Sequence, residues 1–174
     1  MSILIDQLRR FVEPAFIETG TYTGLTIQKA LDVGFEEIHS VEISPHWHAE
    51  AKKRYAAVPS VNLYLGNSAD VLRDILPLMR VPYVLWLDAH NFEFCPENIE
   101  HGNASPLLDE LEAVSESPIG ARTILIDDLP SFGFLGYDLD SVKDALLQIQ
   151  SCYAFDILQN EFKEDQILVA RMTS

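Results

Sequence analysis

Positive charge is scarce in this chain. It carries 12 lysines and arginines against 27 aspartates and glutamates, a formal net charge of −15 over 174 residues. Nucleic acids and anionic membrane surfaces are held by basic patches, so neither is expected as a partner. Cysteine is scarce too. Cys95 and Cys152 are the only two, far apart and in unlike contexts, which fits free thiols in a cytoplasmic protein better than a disulfide framework. No apolar run approaches the roughly 20 residues of a membrane span. The N-terminal MSILIDQLRRFVEP has its charges in the wrong places for a signal peptide. It reads as a short amphipathic helix over residues 1–12, closed by Pro14. There is no internal repeat, no low-complexity tract and no linker, so residues 1–174 are expected to form a single domain.

What is present is a rhythm of short apolar runs and longer amphipathic stretches. AFIE (15–18), IHSVEI (38–43), VNLYL (61–65), YVLWLD (83–88) and RTILIDD (122–128) read as strands. Several are apolar at consecutive positions, as strands buried on both faces of a parallel sheet must be. Helical patterns lie between them at about 25–33, 45–57, 68–80 and 104–116. Ser68 and Ser105 stand where helix N-caps are expected, and Pro45 and Pro106 where a first turn accepts proline. Strand alternating with helix implies right-handed crossovers and a doubly wound α/β sheet with helices on both faces. After a helix at about 138–150 come YAFDIL (153–158) and QILVAR (166–171). Only QNEFKED separates them, too short for a crossover, so these two strands pair antiparallel. The longest polar irregular stretch, NFEFCPENIEHGN (91–103), is long for a connection and is expected to be a lid or site loop.

In a doubly wound sheet, ligands sit at the carboxyl ends of the strands. The first turn there is FIETGTYTG (16–24). Gly20 and Gly24 let the backbone approach a ligand, and Thr19 and Thr21, which flank the bend, are expected to bind that ligand with them. Glu42, about twenty residues further and at the end of the second strand, is placed to accept both hydroxyls of an adenosine ribose. Glu18 lies just before the bend. A pyrophosphate would be repelled by it, whereas a ligand with an ammonium and a sulfonium would not. Asn67 or Ser68, after the third strand, is placed to bond an adenine edge. These points favour S-adenosylmethionine over NAD.

FIETGTYTG, VEIS, GNSADVL, WLDAH and ILIDDL resemble the successive motifs of class I S-adenosylmethionine-dependent methyltransferases. The likeness runs over about residues 13–171, with Tyr22 where that family carries a central glycine. The final two strands are similar to the end of its Rossmann-like, seven-stranded mixed sheet, whose last strand is antiparallel. The nearest likeness is to the metal-dependent O-methyltransferases, such as macrocin O-methyltransferase.

Asp88 ends the fourth strand, and Asp127 and Asp128 end the fifth. Those strands are neighbours in a doubly wound sheet, so three carboxylates should converge and repel one another unless a cation joins them. Oxygen ligands suit Mg²⁺, Ca²⁺ or Mn²⁺. The resemblance implies the same, since aspartates at these strand ends hold a divalent cation in those relatives. A metal-bound hydroxyl loses its proton more easily, and His90, two residues after Asp88, is the best-placed base. Asp109, Glu110 and Glu112 in PLLDELEAV (106–114) read as a solvated helix face, and SFGFLGYD (131–138) either walls a pocket or turns the chain. The expected activity is methyl transfer from S-adenosylmethionine to a hydroxyl of a small-molecule acceptor. Residues 91–103, residues 129–137 or a second copy in a homodimer would enclose that acceptor. The alternatives are an NAD-dependent oxidoreductase, disfavoured by Glu18 and the terminal hairpin, and a protein that only binds a nucleoside or a partner.

Overall fold

The computed structural model describes residues 3–89, 105–159 and 166–173. Seven strands form one sheet: β1 (Ala15–Thr19), β2 (Glu37–Glu42), β3 (Val61–Leu65), β4 (Tyr83–Leu87), β5 (Thr123–Ile126), β6 (Tyr153–Gln159) and β7 (Gln166–Met172). Their order is β3-β2-β1-β4-β5-β7-β6. The first five are parallel, and β7 runs antiparallel to both β5 and β6. β1 and β4 are buried at every position, as central strands covered on both faces must be. β3 and β6, at the two edges, are only partly covered.

The helices are α1 (Ile5–Leu8), α2 (Leu25–Val33), α3 (Pro45–Arg54), α4 (Ser68–Ile75), α5 (Leu107–Ser115), α6 (Phe132–Leu135) and α7 (Leu139–Ile149). Two apolar cores lie on opposite faces of the sheet. One joins Ile17, Leu85 and Ile124 to Leu72, Leu111 and Leu146 on α4, α5 and α7. The other joins Phe16, Trp86 and Leu125 to Leu8 and Ile27 on α1 and α2. None of the described helices is long and apolar enough to cross a membrane.

Several helix limits differ from those the sequence led us to expect. The first helix is a single turn that tightens into a 3₁₀ turn at Arg9–Phe11. α3 ends at Arg54, with Lys52, Lys53 and Arg54 favourably placed at its negative end. α4 stops at Ile75 because Pro77 cannot continue it, and a 3₁₀ turn at Leu76–Leu78 follows. Ser68 does not cap α4. Asn67 does, its side chain accepting from Ala69 N at 3.0 Å and Asp70 N at 3.4 Å, so Ser68 opens the helix. The cap of α5 is Pro106, not Ser105. The expected solvated face of α5 holds for Asp109 and Glu112 but not for Glu110, which is 1% exposed. Glu110 falls in the stripe Leu107, Glu110, Leu111, Val114 that faces the core.

Candidate active site

The turn after β1 is built from residues with left-handed backbone: Gly20 (φ 84°), Tyr22 (φ 46°) and Gly24 (φ 75°). The two glycines are required by the protein's own packing. A Cβ on Gly20 would lie 2.5 Å from the carbonyl oxygen of Asp88, and one on Gly24 would lie 3.0 Å from the Tyr55 ring. Tyr55 also donates its hydroxyl to the Gly24 carbonyl at 2.7 Å. Tyr22 takes a conformation that costs a non-glycine residue about 1–2 kcal/mol. Its ring stands 60% exposed and edge-on to Trp47, with 4.5 Å between centroids.

Alternation along the strands turns Glu18, Ser40 and Trp86 to the same face, since Glu18 is in register with Ser40 on β2 and Trp86 on β4. Glu18 is fully buried. Its Oε1 accepts from Ser40 Oγ at 2.6 Å, while its Oε2 has no hydrogen-bond partner, and neither has the buried indole N–H of Trp86. Burial pushes the Glu18 carboxyl up to about 8 against the Ser40 hydrogen bond, with Asp88 and Glu42 adding repulsion. Glu42, also buried, accepts a backbone N–H on each oxygen: Ser44 N on Oε1 at 2.8 Å and Tyr22 N on Oε2 at 2.7 Å. A carboxylate offers about four acceptor positions, so two remain for ligand hydroxyls. Thr19 is fully buried and holds Asp88 in place, its carbonyl and hydroxyl accepting from Asp88 N at 3.2 and 3.4 Å. Thr21 contacts Ser40 through its hydroxyl. Asn67 uses its carbonyl oxygen, not its amide NH₂, as the α4 cap.

Asp88 follows β4 and is half-buried; Asp127 and Asp128 follow β5 and are buried. The Asp127 carboxyl is raised to about 8 by desolvation first and the Asp88 charge second. Asp128 adopts left-handed backbone (φ 56°) and opens a 3₁₀ turn at Leu129–Ser131. Among the described residues no three or more His, Cys, Asp or Glu side chains are grouped to hold a metal ion. Asp88, Asp127 and Asp128 flank one region, where the Asp88 and Asp128 charges both push Asp127 up, without forming such a group. His90 and the expected lid at 91–103 lie outside the described residues. In the stretch 131–138, Phe132 joins the core and Tyr137 ties its hydroxyl to the Ser105 carbonyl at 2.7 Å. Two surface cavities, of about 570 and 430 Å³, sit beside α3, and none of the strand-end acids lines either.

Solved structures align over nearly the whole chain. The SAH-bound methyltransferase PaMTH1 of Podospora anserina matches with a TM-score of 0.64 at 15% identity, over 98% of this chain and 76% of its own. The chain has the class I methyltransferase fold. The O-methyltransferase TomG of Streptomyces achromogenes, solved with SAM, gives 0.64 at 16% identity, over 98% and 78%. The putative methyltransferase SMU.1697c of Streptococcus mutans, solved with SAH, gives 0.62 at 13% identity, over 97% and 95%. No family model matches the sequence, and neither does any curated protein.

Within this methyltransferase fold, sequence reasoning found Glu18, Gly20, Glu42 and Asp88 where the strands end, and it missed Ser40 and Trp86. The signal for Ser40 was available. In EIHSVE a serine occupies a position that alternation turns inward, directly across from Glu18.

Proposed function

We propose that the chain is an S-adenosylmethionine-dependent methyltransferase acting on a hydroxyl oxygen of a small molecule. The observation that carries this reading is Glu18: a fully buried carboxyl at the end of β1 with one oxygen unpartnered. A buried acceptor without a partner costs roughly 1–3 kcal/mol, and a cationic donor is the ligand group that relieves it best. Glu42 lies at the end of the adjacent strand with two acceptor positions left for ribose hydroxyls. The fold supports the same reading, since TomG is solved with SAM and PaMTH1 with SAH. The pyrophosphate of a dinucleotide offers Glu18 Oε2 no donor, so NAD fits this site less well.

In this reading Glu18 Oε2 receives the ammonium of the amino-acid end, Glu42 orients the ribose, and the Asn67 amide faces adenine. Bound S-adenosylmethionine supplies an electrophilic methyl on a sulfonium. The acceptor hydroxyl gives its proton to a base and takes the methyl at oxygen, while the bond from methyl to sulfur breaks and the sulfonium leaves as a neutral thioether. Asp88, held by Thr19, and His90 are the groups proposed to take that proton. The described aspartates do not form a metal set, so no step is routed through an ion.

The test is methyl transfer from radiolabelled S-adenosylmethionine to a panel of phenols, catechols and sugar hydroxyls. Label in an acceptor, lost in Glu18→Ala, is expected. Tight binding with no transfer to any acceptor would reduce the protein to a nucleoside binder.

A further inference from the structure

Glu18 does not stand alone. Ser40 Oγ donates to Glu18 Oε1 at 2.6 Å, and Thr21 Oγ1 lies 2.5 Å from Ser40 Oγ. Ser40 has one hydroxyl proton, and it goes to Glu18, so in the Thr21–Ser40 contact Thr21 is the donor. The relay therefore points one way, from the turn to the carboxyl. Ser40 is 0% exposed and Thr21 5% exposed. The Thr21 backbone is fixed independently, its N–H donating to the Val41 carbonyl at 3.2 Å and its carbonyl accepting from Gly24 N at 2.8 Å. A hydroxyl anchored to the glycine-rich turn thus sets the orientation of a carboxyl on the strand before it.

The consequence lies in which oxygen is used. The relay occupies Oε1 and leaves Oε2 without a partner in a fully buried residue. A free carboxyl would rotate about its last torsion, which is broad and soft. Held at Oε1, it keeps Oε2 in one place. We infer that Thr21 and Ser40 are positioning residues that fix Glu18 Oε2 to receive the ammonium end of the cofactor, so the site reads that end separately from the nucleoside end. Thr21, expected from the sequence to bind the cofactor itself, acts here through Ser40 and Glu18. The inference rests on the proposed S-adenosylmethionine reading.

Two ligands separate the ends: S-adenosylhomocysteine carries the amino-acid end, and 5′-methylthioadenosine has the same nucleoside thioether without it. Both are titrated calorimetrically into the wild type, Ser40→Ala, Thr21→Val and Thr21→Ser, each first shown to be folded by circular dichroism. Ser40→Ala and Thr21→Val are expected to weaken S-adenosylhomocysteine about tenfold, the loss of roughly one charge-assisted hydrogen bond, and to leave methylthioadenosine within about twofold. Thr21→Ser, which keeps the hydroxyl, is expected to stay close to the wild type. Equal losses for both ligands in the folded variants would show a merely structural role and overturn the inference, as would no loss for either. Wild type that binds methylthioadenosine as tightly as S-adenosylhomocysteine would also overturn it while leaving the nucleoside site standing. Wild type that binds neither would end the proposed function itself.

Discussion

Replacing Glu18 with glutamine should make the protein more stable, and by an amount that grows with pH. In the fold the carboxyl's pKa rises from 4.5 to about 8, chiefly through burial. The folded state then binds a proton that the unfolded chain has released. Such a group contributes stability that is fully present below pH 4.5 and is lost as pH rises through about 8. Linkage puts the loss at about 3 kcal/mol by pH 7 and about 5 kcal/mol by pH 9. Glutamine keeps the shape and can still accept from Ser40, but it never ionises. Urea unfolding of the wild type and Glu18→Gln at pH 5, 7 and 9 measures the difference. The two should be nearly equal at pH 5, and the variant should lead by several kcal/mol at pH 9. Asp127, also raised to about 8, gives both proteins a common decline that the comparison cancels. Parallel stability curves from pH 5 to pH 9 would refute the reasoning.

Gly20→Ala should cost at least about 2 kcal/mol, because the new Cβ meets the Asp88 carbonyl oxygen at 2.5 Å on left-handed backbone; denaturant midpoints at constant slope check this. Asn67→Ala should cost about 1 kcal/mol through the lost α4 cap, and Asn67→Asp, which keeps the acceptor, only a few tenths; thermal unfolding of the pair distinguishes cap from bystander. Excess chelator should leave the melting temperature of the purified protein unchanged, since the described aspartates form no ligand set; a fall that Mg²⁺ reverses would show that an ion does bind the folded chain.

The strands were legible because they are written in local chemistry. Consecutive apolar residues in AFIE and YVLWL mark strands covered on both faces, and the short gap between the last two strands forces an antiparallel pair. Asp88, Glu18 and Glu42 were legible as polar residues ending apolar runs. What escaped depends on contacts between distant parts of the chain. Gly20 and Gly24 look like ligand-approach glycines, yet Asp88 and Tyr55 already fill the space beside them. Glu110 was misjudged because composition outweighed position: a charged residue was read as solvated although it sits on the apolar stripe of α5. The Asn67 cap was missed by one residue, because serine and asparagine cap equally well and only backbone geometry separates them. Ser40 looked like an ordinary strand residue until register placed it beside Glu18.

The most direct measurement of the central claim is calorimetric titration of the wild type and Glu42→Ala with S-adenosylmethionine and, in parallel, with NAD. Two ribose hydroxyls on one carboxylate contribute roughly 1.5–3 kcal/mol each. The account predicts binding of S-adenosylmethionine by the wild type, weakened at least about tenfold in a folded Glu42→Ala, and no comparable binding of NAD. NAD bound more tightly than S-adenosylmethionine, or unchanged affinity in the folded variant, would contradict it.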